Sequence, residues 1–379
     1  MRTYLRYLRD LVGYGFSGGA HYYLWLGFLA LLIGIGIAAY GAQLALGLSV
    51  THMSDQVSWG AYIANFTFLV GVAAAAVLLV VPTYVYGNKD VKEVVLLAEL
   101  VAMTAMIMCL LFVTVDLGRP DRFAHLLPVL GRLNFPRSML AWDVIVLTGY
   151  LLLNLHIPGY LLYMMYLGRE PSRRLYLPFV FISIGWAVSI HTVTAFLYGG
   201  FGGRPFWNTA IMAPRFLISA FASGPALLLI IFWVIDRHGG MAIKPTVFRM
   251  LRRIVAITLP INFFLLGCEL FKEFYTGSVH ATSAWYLFFG IHGHGMLVPY
   301  IWSGLLMGIA AMVIFNVERL YSNDRWMLAG AALCVTGVWI EKGMGLIIPG
   351  FIPSPTGDLV EYSPSGIEFL VCLGIWALG

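Results

Sequence analysis

The sequence predicts an all-α, polytopic membrane protein with about ten transmembrane helices. Of the 379 residues, 60% are hydrophobic and 11% are charged, whereas soluble domains have about 45–50% apolar and about 25% charged residues. The apolar residues are also arranged in long runs that short polar segments separate. These observations exclude a disordered chain, a coiled coil and an ordinary soluble enzyme. The net charge of +5 is too small to indicate binding to nucleic acid.

Each predicted span is a run of about 20 or more mostly apolar residues, the length that crosses a bilayer as a helix. Nine runs reach this length, and they cover residues 22–48, 57–86, 93–116, 139–167, 175–200, 211–235, 250–275, 294–317 and 326–349. A tenth run begins near residue 364 and is short for a span at about 16 residues, so we expect the chain as given to stop inside its last helix. Arg2, Arg6 and Arg9 precede the first span without a small-residue cleavage site after it, so we expect no cleavable signal peptide.

The basic residues predict the orientation. If the N-terminus is inside, the inner segments carry 15 of the 23 lysines and arginines and the outer segments carry 6. Basic residues accumulate on the cytoplasmic side, so we expect a multi-pass protein of a prokaryotic cytoplasmic (inner) membrane with a cytoplasmic N-terminus. The long outer loops are then 117–138, 199–212, 276–293 and 350–363.

These outer loops are rich in Gly, Pro, Trp and Phe rather than in charge. They are either segments that re-enter or lie along the membrane surface, or a platform on which an extracytoplasmic subunit docks. Trp59 and Tyr62, at the outer start of the second span, would by default belong to an interfacial aromatic belt.

Ionisable residues within the spans are concentrated in the outer half of the membrane. Charges in a bilayer are costly and usually functional, so this asymmetry predicts chemistry near the outer face. The group consists of Asp116, Asp143, His191, Arg215, Glu269, Lys272, Glu273, His292, His294, Glu341 and Lys342, with only Glu99 and His156 placed deeper or on the inner side.

Asp143 and His191 are the strongest candidates for a reactive pair. Asp143 has no basic residue within reach on its own helix, so it needs a partner on another helix. The fourth and fifth spans are joined by the short inner loop 168–174, and such antiparallel helices normally pack side by side. We therefore expect the carboxylate and the imidazole to meet, although a lone buried histidine can also be a satisfied core residue.

Two other pairs have simple structural explanations. Asp116 and Arg119 are three residues apart, as are Glu269 and Lys272, and this spacing allows an ion pair along one helix. Glu273, four residues after Glu269, would repel it, so at least one of the two acids is expected to have another partner.

The sequence disfavours a metal centre, an iron–sulfur cluster or a haem in this chain. The four cysteines, which include Cys109 and Cys268, are far apart and form no CxxC motif, as a thiolate-ligated site would require. A bis-histidine haem needs two histidines at one depth on facing helices. His191 could form one such pair with His292 or His294. Cytochrome b-like folds need a second pair at another depth, and the sequence does not provide one.

One stretch at the end of the third span resembles a family signature. Asp116-Leu-Gly-Arg119-Pro120-Asp-Arg122-Phe is similar to the DLGRP-type motif of the NrfD-like membrane subunits, the anchors of polysulfide reductase-type respiratory complexes. Further similar stretches occur in the same order along the chain, at Ser58–Phe66, Pro136–Asp143, Ala213–Gly224 and Trp339–Gly343. The last two resemble the long, ten-span branch, which includes sulfite-reduction-linked, hydrogenase-linked and alternative complex III-type subunits.

The resemblance implies a fold of two four-helix bundles plus peripheral helices. It places an N-terminal segment and the first helix at 1–56, a first bundle with the quinone site at 57–200, a second bundle at 201–350, and an outer loop with the last helix at 351–379. It also implies a quinone, menaquinone, bound non-covalently, with no haem or iron–sulfur cluster in the chain itself. The implied partners are a ferredoxin-like iron–sulfur subunit on the extracytoplasmic face, lipid, and cytochrome c and further membrane subunits as additional candidates.

Quinone chemistry needs an acid or base and hydrogen-bond donors at the ring oxygens. The expected catalytic residues are His191 and Asp143. The expected cofactor-binding residues are Trp59, Tyr62, Asn65, Asp116, Arg119 and Trp142. A second polar cluster, interpreted as a proton pathway, a second quinone site or an ion-pair network, comprises Arg215, Glu269, Lys272, His292, Glu341 and Lys342.

The main functional hypothesis is thus a quinone- or quinol-interacting membrane anchor that exchanges electrons with a docked iron–sulfur subunit. One alternative is a proton-conducting or transporter-like subunit without redox chemistry, in which buried acids relay protons. The inner half of the chain has few ionisable groups for such a path. The other alternative is a structural anchor whose buried polar groups only brace its helices.

Overall fold

The computed structural model describes residues 2–126, 129–277 and 279–379, and within these ranges it is helical without a named strand. This confirms the all-α prediction. Parts of the predicted loops 117–138 and 276–293 lie outside the described residues.

Nine described helices are long and apolar enough to cross a membrane, in agreement with the predicted polytopic architecture. In chain order, the first to ninth spans are Ala20–Leu46, Ala61–Val85, Lys89–Asp116, Met139–Tyr166, Arg173–Gly199, Met212–His238, Pro245–Tyr275, Val298–Asn316 and Asp324–Phe351. A helix at Arg2–Gly15 precedes them, Thr282–Phe289 lies before the eighth span, and the shorter apolar helix Gly366–Leu378 follows the ninth.

Several helix starts are fixed by side-chain caps. Asn88 accepts a hydrogen bond from the Asp90 N–H at the start of the third span, and Ser138 accepts one from the Ala141 N–H at the start of the fourth. Ser365 and Glu368 form a reciprocal capping box at the last helix. These caps satisfy N–H groups that the first turn of a helix leaves free, so the polar residues between apolar runs set the ends of the spans.

The spans pack as two groups of four, in which the second to fifth spans contact one another and the sixth to ninth spans contact one another. The second span is the most enclosed of the nine, because it also packs on the sixth. Within its 18-residue apolar stretch, 94% of the residues are buried. Small residues permit this contact. A Cβ atom placed on Gly224 would lie 2.0 Å from the Ala75 Cβ, and close approach at small residues is typical of helix pairs in membranes.

The first span and the last helix pack on each other at the edge of the first group. Gly36 and Gly374 face each other so closely that a Cβ on Gly36 would lie 2.6 Å from the Gly374 Cα. The ninth span contains a π-helical turn at Ile340–Met344, which includes Glu341 and Lys342. Such turns often occur at functional sites, and this one lies against the second span.

Candidate functional site

A buried polar contact joins the fourth and fifth spans. The Thr194 hydroxyl donates a hydrogen bond to the Asp143 carboxylate, with an Oγ1–Oδ1 distance of 2.8 Å. Thr194 is fully buried and Asp143 is 2% exposed. The cross-helix partner predicted for Asp143 therefore exists, but it is a threonine.

His191 lies one turn deeper on the fifth span and is fully buried. Its Nδ1 is 3.1 Å from the backbone oxygen of Ala187 on the same helix. Because a carbonyl only accepts, Nδ1 carries the proton of this hydrogen bond, and Nε2 of the neutral ring is then an acceptor. Nε2 is buried and has no hydrogen-bond partner. A buried polar atom of this kind calls for an explanation, and a bound ligand with a hydroxyl group would supply one.

Tyr198 and Thr67 extend the polar surface toward the second span. Their hydroxyl oxygens are 2.5 Å apart, and both side chains are fully buried. His191, Thr194 and Tyr198 follow one another at helical spacing, so they share one face of the fifth span. We call the set Thr67, Asp143, His191, Thr194 and Tyr198 the first-bundle polar patch.

The predicted meeting of Asp143 and His191 is wrong. No hydrogen bond or ion pair joins them among the described contacts. The reason is depth, because at about 1.5 Å per residue Asp143 lies about 6 Å from the Met139 end of its span, and His191 lies about 12 Å from the neighbouring Gly199 end of its own span. Thr194, at about 7 Å, is level with the carboxylate and takes the place expected for the histidine.

Tyr62 and Asn65 make contacts between helices of this chain. The Tyr62 hydroxyl donates to the side chain of Gln43 on the first span at 2.6 Å. The Asn65 side-chain oxygen accepts from the indole N–H groups of Trp339 and Trp376, at 3.0 and 2.9 Å. Its amide nitrogen donates to the Ala61 carbonyl. These two residues therefore connect the second span to its neighbours.

The predicted pair between Asp116 and Arg119 does not form. The third span ends at Asp116, so Arg119 lies beyond the helix and its position is not set by helical spacing. Arg119 instead binds Asp121 through two hydrogen bonds of 3.0 and 2.9 Å, and this contact lowers the pKa of Asp121 below its ordinary value. The Oδ1 atom of Asp116 is buried without a hydrogen-bond partner.

Trp59 and Trp142 make aromatic contacts near the starts of the second and fourth spans. The Trp59 ring packs within 5.4–5.9 Å of four other rings, those of Tyr198, Phe201, Trp207 and Phe351. The Trp142 ring lies 4.5 Å from that of Phe135, and its indole donates to the Pro136 carbonyl. Both tryptophans thus pack loop residues against the bundle.

The second bundle contains a buried ion-pair network centred on Arg215. Its guanidinium binds Glu269 and, at 3.0 Å, Glu341, and the Asn262 amide donates to the other oxygen of Glu341 at 2.8 Å. Lys342 donates to the Phe216 carbonyl at 3.1 Å. We call Arg215, Asn262, Glu269, Glu341 and Lys342 the second-bundle network, and the structure brings these predicted residues together with Asn262.

Two members predicted for this cluster lie elsewhere. Lys272 is 47% exposed and pairs with Glu273 at 2.8 Å, because Glu269 already binds Arg215 inside the bundle. His292 is exposed in a turn before the eighth span, which begins at Val298 rather than at residue 294. Glycines with positive φ on both sides, Gly290 and Gly293, adopt a conformation that interrupts a helix.

The described residues contain no group of three or more histidine, cysteine, aspartate or glutamate side chains arranged to hold a metal ion. Cys109, Cys334 and Cys372 are buried and Cys268 is exposed, and all four are free thiols.

The sequence did not predict four residues of these two sites, which are Thr67, Thr194, Tyr198 and Asn262. A signal was present for two of them, because Thr194 and Tyr198 lie three and seven residues after His191 and so continue one polar helix face. Thr67 and Asn262 lie in predominantly apolar runs, and only the packing of the helices shows which groups they meet.

Known proteins resemble this one along nearly the whole chain. The family model described as polysulphide reductase, NrfD, matches residues 49–353. A Halobacterium salinarum protein described as a membrane subunit of a dimethyl sulfoxide reductase is 26% identical, over 94% of this chain and 88% of its own. The Hdr-like menaquinol oxidoreductase integral membrane subunit of Archaeoglobus fulgidus is 24% identical over 92% and 88%. A selenate reductase subunit of Mesobacillus selenatarsenatis is 24% identical over 93% and 90%.

Proposed function

Because the chain belongs to the polysulphide reductase, NrfD family, we propose that it is the quinol-reactive membrane subunit of a multi-subunit reductase complex. In this proposal it exchanges electrons between the membrane quinone pool and an iron–sulfur subunit docked on the extracytoplasmic face. The names of the three relatives support a place in such a complex. One of them is named for menaquinol, which favours menaquinone among the quinones.

The observation that carries the proposal is the unpartnered Nε2 atom of His191. It is a fully buried hydrogen-bond acceptor on the same helix face as Thr194, which holds the Asp143 carboxylate. An acceptor inside an apolar bundle fits a ligand that is itself apolar but carries a hydroxyl group. A quinol has this chemistry.

A quinone supplies two-electron redox chemistry coupled to the release or uptake of two protons at its ring oxygens. Within the chain, His191 accepts a hydrogen bond from a ligand hydroxyl and takes up its proton at Nε2, as a general base does. Thr194 fixes the orientation of the Asp143 carboxylate, a second ionisable group of the first-bundle polar patch. The apolar residues around the patch exclude water, which strengthens these hydrogen bonds.

The outer loops support a partner on that face. Residues of the loop after the third span expose apolar side chains, including Val129 at 94%, Leu130 at 64% and Phe135 at 48%. Exposed apolar surface rimmed by polar residues is typical of protein–protein contacts. The basic residues predict that the N-terminus is on the cytoplasmic side of the membrane, and this surface then lies on the extracytoplasmic side. We propose that it is the docking surface of a ferredoxin-like iron–sulfur subunit.

A photoreactive azido-quinone tests this proposal in the complex purified with this chain. We expect labelled peptides from the fourth and fifth spans around Asp143 and His191, and labelling that excess menaquinone suppresses. Labelling confined to the sixth to ninth spans would reject the site, and the absence of label that menaquinone suppresses would reject quinone binding.

The second-bundle network favours a second candidate function, proton conduction. Two small cavities of about 10 and 20 Å³ flank Arg215, each with room for about one water molecule. Proteoliposomes with a pH-sensitive dye distinguish the functions. Under an imposed inside-negative potassium diffusion potential, a proton conductor acidifies the lumen without quinol turnover, and the proposed quinol-reactive subunit does not.

A further inference from the structure

A basic cavity lies at the N-terminal end of the seventh span, on the side that the charge distribution assigns to the cytoplasm. Its volume is about 410 Å³, and it is lined by Thr246, Arg249, Met250, Arg253, Ile254 and Ile257. An adjoining cavity of about 530 Å³ shares Arg249 and Arg253 with it. Neither cavity contains a residue of the first-bundle polar patch or of the second-bundle network.

Arg249 and Arg253 have no acidic partner among the described residues. They are four residues apart, so their like charges face the same side of the helix and repel each other. The neighbouring Arg237, in contrast, pairs with Asp324 at 2.9 Å. An anion between the two guanidinium groups would remove the repulsion.

The acids that line the adjoining cavity do not supply this anion. Asp236 accepts a hydrogen bond from the Ile243 N–H at 2.8 Å, and Asp324 accepts from Arg237 and from the Trp233 indole. Glu318 is exposed and makes no ion pair with either arginine.

Two buried polar atoms beside the cavities also have no hydrogen-bond partner. They are the Thr246 Oγ1 and the Arg252 Nε, although the Arg252 guanidinium lies 3.7 Å from the centre of the Tyr321 ring. Buried donors are normally paired. Arg252 lines the larger cavity and Thr246 lines the smaller one, so polar side chains accompany the two arginines on the cavity walls.

The surface that continues from the cavity toward the membrane centre is apolar. Ile257 is 62% exposed, Ile261 is 39% exposed and Phe264 is 69% exposed, and their spacing of three to four residues places them on one helix face. From Arg253 to Phe264 this face extends about 16 Å. An anion with a long apolar chain fits both parts of the surface, whereas free phosphate fits only the basic part.

We propose that this cavity binds the phosphodiester headgroup of an anionic phospholipid from the cytoplasmic leaflet. Arg249 and Arg253 hold the phosphate oxygens through charge-assisted hydrogen bonds, and an acyl chain lies along Ile257 and Ile261. Basic pockets between transmembrane helices on the cytoplasmic side are suited to anionic lipid headgroups. The proposal is independent of the quinol site.

Native mass spectrometry of the full chain in detergent tests the lipid site. Phosphatidylglycerol and phosphatidylcholine with identical acyl chains are added in equal amounts, and the lipid retained by each variant is counted. The test variant is Arg249→Gln/Arg253→Gln. The matched control is Arg173→Gln/Arg174→Gln, at two exposed arginines without ion pairs on the same side of the membrane. We expect the preference for phosphatidylglycerol to fall about tenfold or more in the test variant and to remain in the control.

Three further results decide the outcome. Excess inorganic phosphate should not release the bound phosphatidylglycerol, and release would show a free-anion site and overturn the proposal. Equal retention by the wild-type chain and the Arg249→Gln/Arg253→Gln variant would also overturn it. If the double variant is unstable, the single variant Arg253→Gln should show a smaller loss with an unchanged unfolding temperature in the absence of lipid, and unchanged retention in that variant would reject the site.

Discussion

Asp143 on the fourth span accepts a hydrogen bond from Thr194 on the fifth span, and both residues are buried. This contact holds the carboxylate at one depth of the bundle and leaves His191, one turn deeper, without a partner at Nε2. The structural role and the proposed chemical role of the patch therefore fall on different residues, which can be varied separately.

Thr194→Val removes the hydrogen bond while keeping the shape of the side chain. We expect a loss of about 1.5–3 kcal/mol in the free energy of unfolding, because a buried charged group loses its donor. Thr192→Val is the control, since the Thr192 hydroxyl bonds only to the carbonyl of Val188 on its own helix. Unfolding in mixed micelles measures both, and equal losses would contradict the assigned contact.

In the same assay, the double variant Thr194→Val/Asp143→Asn should lose less free energy of unfolding than the two single variants lose together, because the two residues are in direct contact. Additive losses would show that the two side chains do not interact.

Arg215→Gln tests the second-bundle network. Removing the cation leaves Glu269 and Glu341 buried without their partner, and breaking a buried ion pair typically costs about 3–5 kcal/mol. The control is Arg237→Gln, whose ion pair with Asp324 is more than half exposed and should be worth at most about 1 kcal/mol. A loss for Arg215→Gln no larger than that of the control would indicate that the network does not stabilise the fold.

Gly224→Ala tests the contact between the two bundles. The added methyl group would overlap with the Ala75 Cβ, and overpacking of this kind typically costs about 1–3 kcal/mol. Gly267→Ala on the seventh span is the matched control, because a Cβ there meets no atom within 4 Å. The yield of folded protein and the unfolding temperature measure the effect, and equal behaviour of the two variants would contradict the observed packing.

Cysteine labelling tests the orientation. In a Cys268→Ala background, which removes the exposed native thiol among the described cysteines, Asn208→Cys should react with an impermeant reagent from outside the cell. Ala242→Cys should react only after the membrane is opened, because basic residues accumulate on the cytoplasmic side and predict that residue 242 lies there. The reverse pattern would move the proposed iron–sulfur partner to the other face.

The spans could be predicted from the sequence because length and apolarity alone define them. The start of the eighth span could not, since His292 and His294 lie in an apolar context but Gly290 and Gly293 take positive φ values. Ion pairs were harder to predict, because helical spacing identifies only partners three or four residues away on the same helix. Arg119 lies beyond the end of its helix, and Arg215 reaches Glu269 from another span, so both pairings depend on helix ends and relative depths that the sequence does not contain.

The central claim is that His191 accepts the proton of a bound quinol, and quinol turnover by the assembled complex tests it most directly. Ser189→Ala is the control, because the Ser189 hydroxyl bonds only within its own helix. We expect His191→Gln to lower turnover by about 10²–10⁴-fold, as the loss of a general base does, while its complex still assembles. The Ser189→Ala complex should turn over quinol at the wild-type rate. Normal turnover by an assembled His191→Gln complex would contradict the account.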